Sequence, residues 1–451
     1  MNEKNDFLAT EPISNLILKL TIPTIAAQII NMLYNIVDRI YIGHIPKAGA
    51  LALTGVGVCM PLIMIISAFS ALICYGGAPR ASIFMGKKDK ESAEKTLNNC
   101  FLLLIITSII LTFLLFKFNR NILLAFGASD NTIKFATDYM NIYAFGTIFV
   151  QLTLGLNAFI TAQGFTKVSM TSVLTGSIVN IILDPVFIFG FNMGVKGAAI
   201  ATVLSQTISC LWVLRFLIGG KTILKLKSSY FKLEKKIILP AIALGLSTFI
   251  MQTSESIISI CFNSSLLKYG GDIAVGTMTI LSSVMQFAFL PLSGIGQGTQ
   301  PIISYNYGAG KSQRVKEAFF KLVKISFIYS VLLWCFIMLF PKIVMSIFTS
   351  DLTLIEFGIK PLRIYTASLG LFGIQIACQY TFNALGNAKS SIIVAVMRKF
   401  ILLIPLIFIL PNIITSNKTY AVYLSEPIAD FISVLFTVLL FKYQFKKVDK
   451  C

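Results

Sequence analysis

Charge is what this sequence is short of. Only 13% of its 451 residues are charged while 56% are hydrophobic, against about 25% charged in a soluble domain. With a mean hydropathy of +0.82, the chain has too much apolar surface for a water-soluble fold to hide, and a membrane class follows. Histidine occurs once, at His44, and the eight cysteines are scattered with no CxxC pair, which excludes the usual zinc and redox constellations. There is no GxxxxGK[ST] loop, so ATP is not the energy source within this chain, and no HExxH or nucleophile triad context, so an enzyme is not expected and no cofactor is implied. Residues 1 to 15 lack the apolar core and small-residue cleavage site of a signal peptide; the first apolar segment is expected to stay as a spanning helix.

What is present is a series of long apolar runs. A membrane helix needs about 20 mainly apolar residues because its backbone groups must be satisfied internally. Twelve segments meet that need: 16 to 42, 48 to 74, 96 to 117, 134 to 160, 167 to 190, 197 to 217, 237 to 266, 273 to 300, 318 to 341, 357 to 383, 391 to 411 and 419 to 441. The net charge of +19 sits in short clusters between these runs, in 75 to 95, 218 to 236, 308 to 317 and the tail residues Lys442, Lys446, Lys447 and Lys450. That pattern excludes nucleic acid and reads as cytoplasmic loops facing anionic headgroups. The alternate loops are poorer, with Lys47 in one and Lys117 and Arg120 in the richest. Both termini are therefore expected in the cytoplasm, in a multi-pass protein of the plasma membrane contacting its lipids.

The halves repeat. Pro23 and Pro240 open the first and seventh segments, Gly86 and Gly310 follow the second and eighth, and Gly164 and Gly386 follow the fourth and tenth, at offsets of 217, 224 and 222 residues. The expected fold is all-α, with twelve transmembrane helices in two pseudo-symmetric six-helix bundles, 1–217 and 237–451, joined by a cytoplasmic connector at 218–236. Residues 224 to 236 of that connector are expected to form a short helix on the inner surface. Two like bundles around a central site suit alternating access.

Ionisable residues inside spans mark function, because a charge in hydrocarbon is expensive. Asp38, Asp184, Glu255 and Glu426 stand out. Asp38 and Glu255 each lie 15 residues beyond the repeated proline, one in each bundle. Asn180 and Asp184 share a helix face at i and i+4, and Pro185 interrupts the ladder one turn from Ile181. These oxygens, with Thr202, suit either a proton or a sodium ion, the latter at Asp38, Asn180 and Asp184, and the residues alone do not separate the two. Glu426 precedes Pro427 and has Asp430 one turn on. Gln28, Asn35, Asn157 and Gln286 add polarity to a cavity between the bundles, which Tyr34, Tyr139, Phe159, Phe287 and Phe289 can line against planar or cationic ligands.

The runs LTIPTIAAQIINMLYNIVDRIYIGH, ASIFMGKKD, NIILDPVFIFGFNMGVKGAAIATVLSQ, PLSGIGQGTQPIISYNYGAGKSQRVKEA and ALGNAKSS resemble the multidrug and toxic compound extrusion (MATE) antiporters, and among them the bacterial MepA-like branch, over essentially the whole chain. The resemblance implies an outward-opening V of two six-helix bundles that exports organic, mainly cationic, compounds in exchange for H⁺ or Na⁺. By that resemblance the family's first-span acid matches Asp38 and its fifth-span polar cluster Asn180 and Asp184, with Thr202 beside it, for cation coupling, and the seventh-span acid that helps bind cation in one branch matches Glu255; here Glu255 is expected to face substrate instead, with the span residues Gln28, Asn35, Asn157, Tyr139, Gln286 and Glu426 as further candidates for substrate binding. A branch of the family uses a tenth-span aspartate, and GLFGIQIACQYTFNALGN has none, which favours the N-terminal acids for coupling. The alternative is a flippase of lipid-linked or polar metabolites from the same superfamily, whose cavity needs bases where these spans favour acids. The fold demands no oligomer, and a monomer is expected.

Overall fold

The structure, a computed structural model, describes residues 7–46 and 48–445. Lys47 and the tail lysines 446, 447 and 450 lie outside the described residues. The chain is helical throughout the apolar runs: α1 (Phe7–Thr10), α2 (Ile13–Gly43), α3 (Gly49–Gly86), α4 (Lys90–Ala125), α5 (Ile133–Ala162), α6 (Thr166–Pro185), α7 (Val195–Ile218), α8 (Lys235–Gly308), α9 (Ser312–Leu339), α10 (Pro341–Phe348), α11 (Leu352–Tyr365), α12 (Leu369–Ala384), α13 (Ala388–Val396), α14 (Ile404–Ile413) and α15 (Lys418–Phe445). A π turn, Val186–Gly190, extends α6, and a second, Met397–Leu403, joins α13 to α14. Among the described residues ten helical segments are long and apolar enough to cross a membrane; the protein is an all-α, multi-span membrane protein.

Two expected segments take forms that length alone did not suggest. The seventh and eighth lie in one 74-residue helix, α8, which at 1.5 Å per residue would run about 110 Å if straight, more than three times the hydrocarbon core. Gly271 resolves this, standing at φ 65°, ψ −163°, outside the helical region, where only a residue without Cβ is at ease. Both arms of α8 then meet α3: a Cβ on Gly76 would collide with the carbonyl of Ala241 in the first arm, and one on Gly86 with that of Tyr305 in the second. The tenth segment is broken by the turn 366–368 between α11 and α12.

The repeat is visible in the backbone, with one shift. Gly164 (φ 85°) and Gly386 (φ 72°) are left-handed turn residues 222 apart, and the partner of Gly310 (φ 70°) is Lys88 (φ 61°), again 222 apart. Gly86 itself is helical, so the sequence landmark was two residues early.

Apolar packing has one core shared by the halves, two sizeable ones each confined to one half, and a small fourth one around Phe319, Phe382 and Phe441 in the second half. At the end that carries the connector, Leu16, Leu20, Cys74, Leu97 and Phe159 pack in one cluster with Ile295, Ile302, Tyr305 and Leu322. Away from that end, Ile42, Val56, Tyr139 and Ala198 form a cluster drawn only from residues 42 to 199. Ile258, Leu281, Phe372 and Tyr423 form another drawn only from 258 to 429. Polar ties reinforce the shared end: Thr24 Oγ1 donates to the Gly294 carbonyl at 2.7 Å, and Gln28 Nε2 to Gln297 Oε1 at 3.2 Å.

The connector is not the surface helix expected over 224 to 236. It is an extended strap with one 3-10 turn, Ser228–Tyr230. Gln163 Oε1 accepts from Thr222 Oγ1 and from the backbone N–H groups of Ile223 and Leu224 at 2.8–2.9 Å. Asn98 accepts from Lys227 N–H and donates to the Lys225 carbonyl, Asn99 accepts from Glu234 N–H, and Glu94 pairs with Lys227. These side chains satisfy backbone groups that a helix would have satisfied itself, while Leu224 is fully buried.

Candidate functional sites in the two halves

In the first half, α2, α5, α6 and α7 bring one polar cluster together. Asp38, Asn180 and Asp184 are buried, 5%, 1% and 0% exposed. Asn180 Nδ2 donates to Asp184 Oδ1 at 3.2 Å, the helix-face pairing that their i, i+4 spacing suggests. The carboxyls of Asp38 and Asp184 are close neighbours, and Asp38 Oδ1, Asn180 Oδ1 and Asp184 Oδ2 find no donor. Around them stand Tyr34, in contact with Asn35 and Gln206, and Tyr139, whose hydroxyl contacts Thr202. Tyr139 stacks on Tyr143 and belongs to this cluster. Pro185 offers no N–H to the Ile181 carbonyl, and Val186 N–H turns to Leu183; π turns of this kind often sit at functional sites.

Two ionised carboxylates side by side repel, and three buried oxygens without donors are costly. A shared proton or a bound monovalent cation relieves both, so the cluster is chemically suited to loading and releasing a small cation.

The second half holds a different arrangement, built on two bases that the sequence reading passed over. Arg398 and Lys399 are consecutive in the π turn 397–403 and are buried. Neighbours on a helix point about 100° apart, and the two reach different helices. Arg398 Nε donates to Asp430 Oδ1 at 2.6 Å and Nη2 to Glu426 Oε1 at 3.0 Å, both on α15, while the guanidinium lies over the Phe372 ring at 4.8 Å. Lys399 Nζ donates to Glu255 Oε1 of α8 at 2.7 Å. Glu426 is thus an internal ion-pair partner with Oε2 left unpartnered. Glu255, which has no base near it in sequence, has one 144 residues away. The expectation that span interiors favour acids is corrected here: each base is neutralised by acids brought to it from other helices. The signal was legible as MRKF inside an apolar run.

The remaining residues divide. Gln28 lies at the junction of the halves, Gln286 is exposed on α8, and Asn35 donates to Asn31 O at 2.6 Å. Asn157 exchanges hydrogen bonds with Ser172. Phe287 is exposed and meets Phe348 edge-on, whereas Phe159 is fully buried in the shared core.

The MatE family model matches the chain twice, at residues 23–186 and 246–409. The multidrug export protein MepA of Staphylococcus haemolyticus is 24% identical over 415 residues, 92% of this chain and 91% of that one. A crystal structure of a MATE in a bent conformation superposes with a TM-score of 0.93 at 23% identity, covering 100% of this chain and 99% of that one. An outward-facing multidrug resistance MATE family transporter superposes at 0.91, also at 23% identity and with 100% of both chains covered.

Proposed function

The chain belongs to the MatE family, a family of secondary active transporters and not of enzymes, and from that premise we propose that it exports organic, mainly cationic, compounds across the plasma membrane in exchange for H⁺ or Na⁺. The observation that carries the reading is the buried pair Asp38 and Asp184 with Asn180, whose unpartnered oxygens call for a small cation. Thr202 and Tyr139 close that site. Relatives named as multidrug export proteins support the cargo class.

The proposed architecture is twelve crossings in two six-helix bundles, residues 1–217 and 237–451, with 218–236 between them. The support is a count: α8 reverses at Gly271 and supplies two crossings, α11 with α12 supplies one, and the two family matches have equal extent. One core shared at the connector end and two separate cores beyond it support a V open at the opposite end. The lysine-rich connector supports a cytoplasmic connector end and cytoplasmic termini. Cargo is read as entering the V, where Glu255 is exposed and Gln28, Asn35, Asn157, Gln286 and the Glu426 network surround it. A single chain suffices.

A flippase reading gains one observation, the bases Arg398 and Lys399, but both are already engaged by Glu255, Glu426 and Asp430 and present no free cation to a pyrophosphate.

The test is export from cells. Cells expressing the protein and loaded with a lipophilic cationic dye should lose it faster than cells carrying empty vector, and a protonophore together with a sodium ionophore should abolish the difference. Equal loss from both cell types would overturn the assignment.

A further inference from the structure

Lys399 is a base within a membrane-spanning segment whose ammonium is held by one acid. Its side chain is 4% exposed, while that of Glu255, 2.7 Å away, is 58% exposed. Arg398 is not available to Glu255, because Glu426 and Asp430 hold it from α15. A small cavity with room for about one water lies on the Lys399 side of the pair, lined among others by Met251, Phe372, Gln375, Gln379, Arg398 and Lys399. Gln375 and Gln379 are 5% and 6% exposed. Their amide nitrogens are used by Ser433 and Ser391, and both Oε1 atoms find no donor.

A carboxylate and two unengaged amide oxygens are hard donors of the kind that a compact inorganic cation takes. The lysine bonds the carboxylate and lines the same cavity as the two amides, a positive charge delivered by a tether. A free cation arriving at Glu255 would meet that ammonium at close range, and like charges juxtaposed repel.

We propose that Lys399 is the ion-specificity residue of the C-terminal half, a tethered cation that denies Glu255 and the Gln375–Gln379 cavity to Na⁺ and so confines ion coupling to the acids of the N-terminal half. The first clause stands on this geometry alone, and the second rests on the exchange reading above.

The experiment measures equilibrium binding of radioactive Na⁺ to the purified full chain in an Asp38→Asn background, which silences the first half. Adding Lys399→Met, or the polar Lys399→Gln, should create a saturable site of about one Na⁺ per chain, and adding Glu255→Gln should remove it. Lys399→Arg, which keeps the charge, should create none. Size-exclusion profiles establish that each variant is folded, and the two neutral replacements guard against loss of either one. Folded Lys399→Met and Lys399→Gln proteins that bind no more Na⁺ than the parent would overturn the proposal. So would a gain that survives Glu255→Gln. Because the readout is binding, absence of gradient-driven transport would sink the exchange reading without touching this result.

Discussion

Arg398 shows how much a single side chain carries. It faces two carboxylates inside the protein, and breaking a buried pair from one side leaves uncompensated charge at a cost of about 3–5 kcal/mol. Arg398→Ala is therefore expected to lower the melting temperature of the detergent-purified protein markedly, and Arg398→Ala combined with Glu426→Gln and Asp430→Asn to recover part of the loss. A melting curve unchanged by Arg398→Ala would mean that the network holds nothing together. At this scale the acids were legible in sequence, because a carboxyl in an apolar run is conspicuous and Asn180 and Asp184 are joined by helical spacing alone. Arg398 and Lys399 were equally conspicuous, but their meaning lies in partners on α8 and α15, between 28 and 144 residues away. Spacing along one helix carries no trace of such pairing.

The connector strap is the clearest case at the scale of elements. Its sequence LKLK at 224–227 alternates apolar and basic residues with the period of an extended chain, and the overall basic, amphipathic composition obscured that. What fixes it is Gln163, which faces three donors of the strap from the end of α5. Lys227 is bound as well: its ammonium is held above its ordinary pKa chiefly by the hydrogen bond to Glu94. Gln163→Ala should free residues 222–224, and limited trypsin digestion should then cut at the strap lysines faster by about tenfold, since opening of a local segment sets its cleavage rate. An unchanged digestion rate would show that the strap is held by its apolar contacts instead. The break at Gly271 was another element-level feature beyond the sequence reading: the seventh and eighth runs were divided between 266 and 273, yet nothing in glycine's identity told that helix would continue on both sides of it.

For the whole molecule, the apolar runs carried the all-α, multi-span class, and the family match at 23–186 and 246–409 has two parts that begin 223 residues apart, close to the offsets of the sequence repeat. The arrangement of cores did not follow from it, because pairing of α3 with both arms of α8 depends on glycines whose close contacts lie more than 150 residues away. Orientation is open to direct test. In a chain freed of native cysteines, a cysteine at Ser228 should react with a membrane-impermeant maleimide only after the cells are permeabilised, and one at Asp130 should react in intact cells. Both positions are exposed. The opposite pattern would invert the topology and with it the direction of transport.

The central claim is that a cation entering the Asp38–Asp184 cluster drives cargo out. The measurement that bears on it most directly is efflux of a lipophilic cationic dye from proteoliposomes, with proton and sodium gradients imposed separately, for the wild type, Asp38→Asn, Asp184→Asn and Glu255→Gln. The account predicts saturable efflux under one gradient, its abolition by either aspartate substitution, and only a changed dye affinity with Glu255→Gln. Gradient-driven efflux that survives both Asp38→Asn and Asp184→Asn would contradict it.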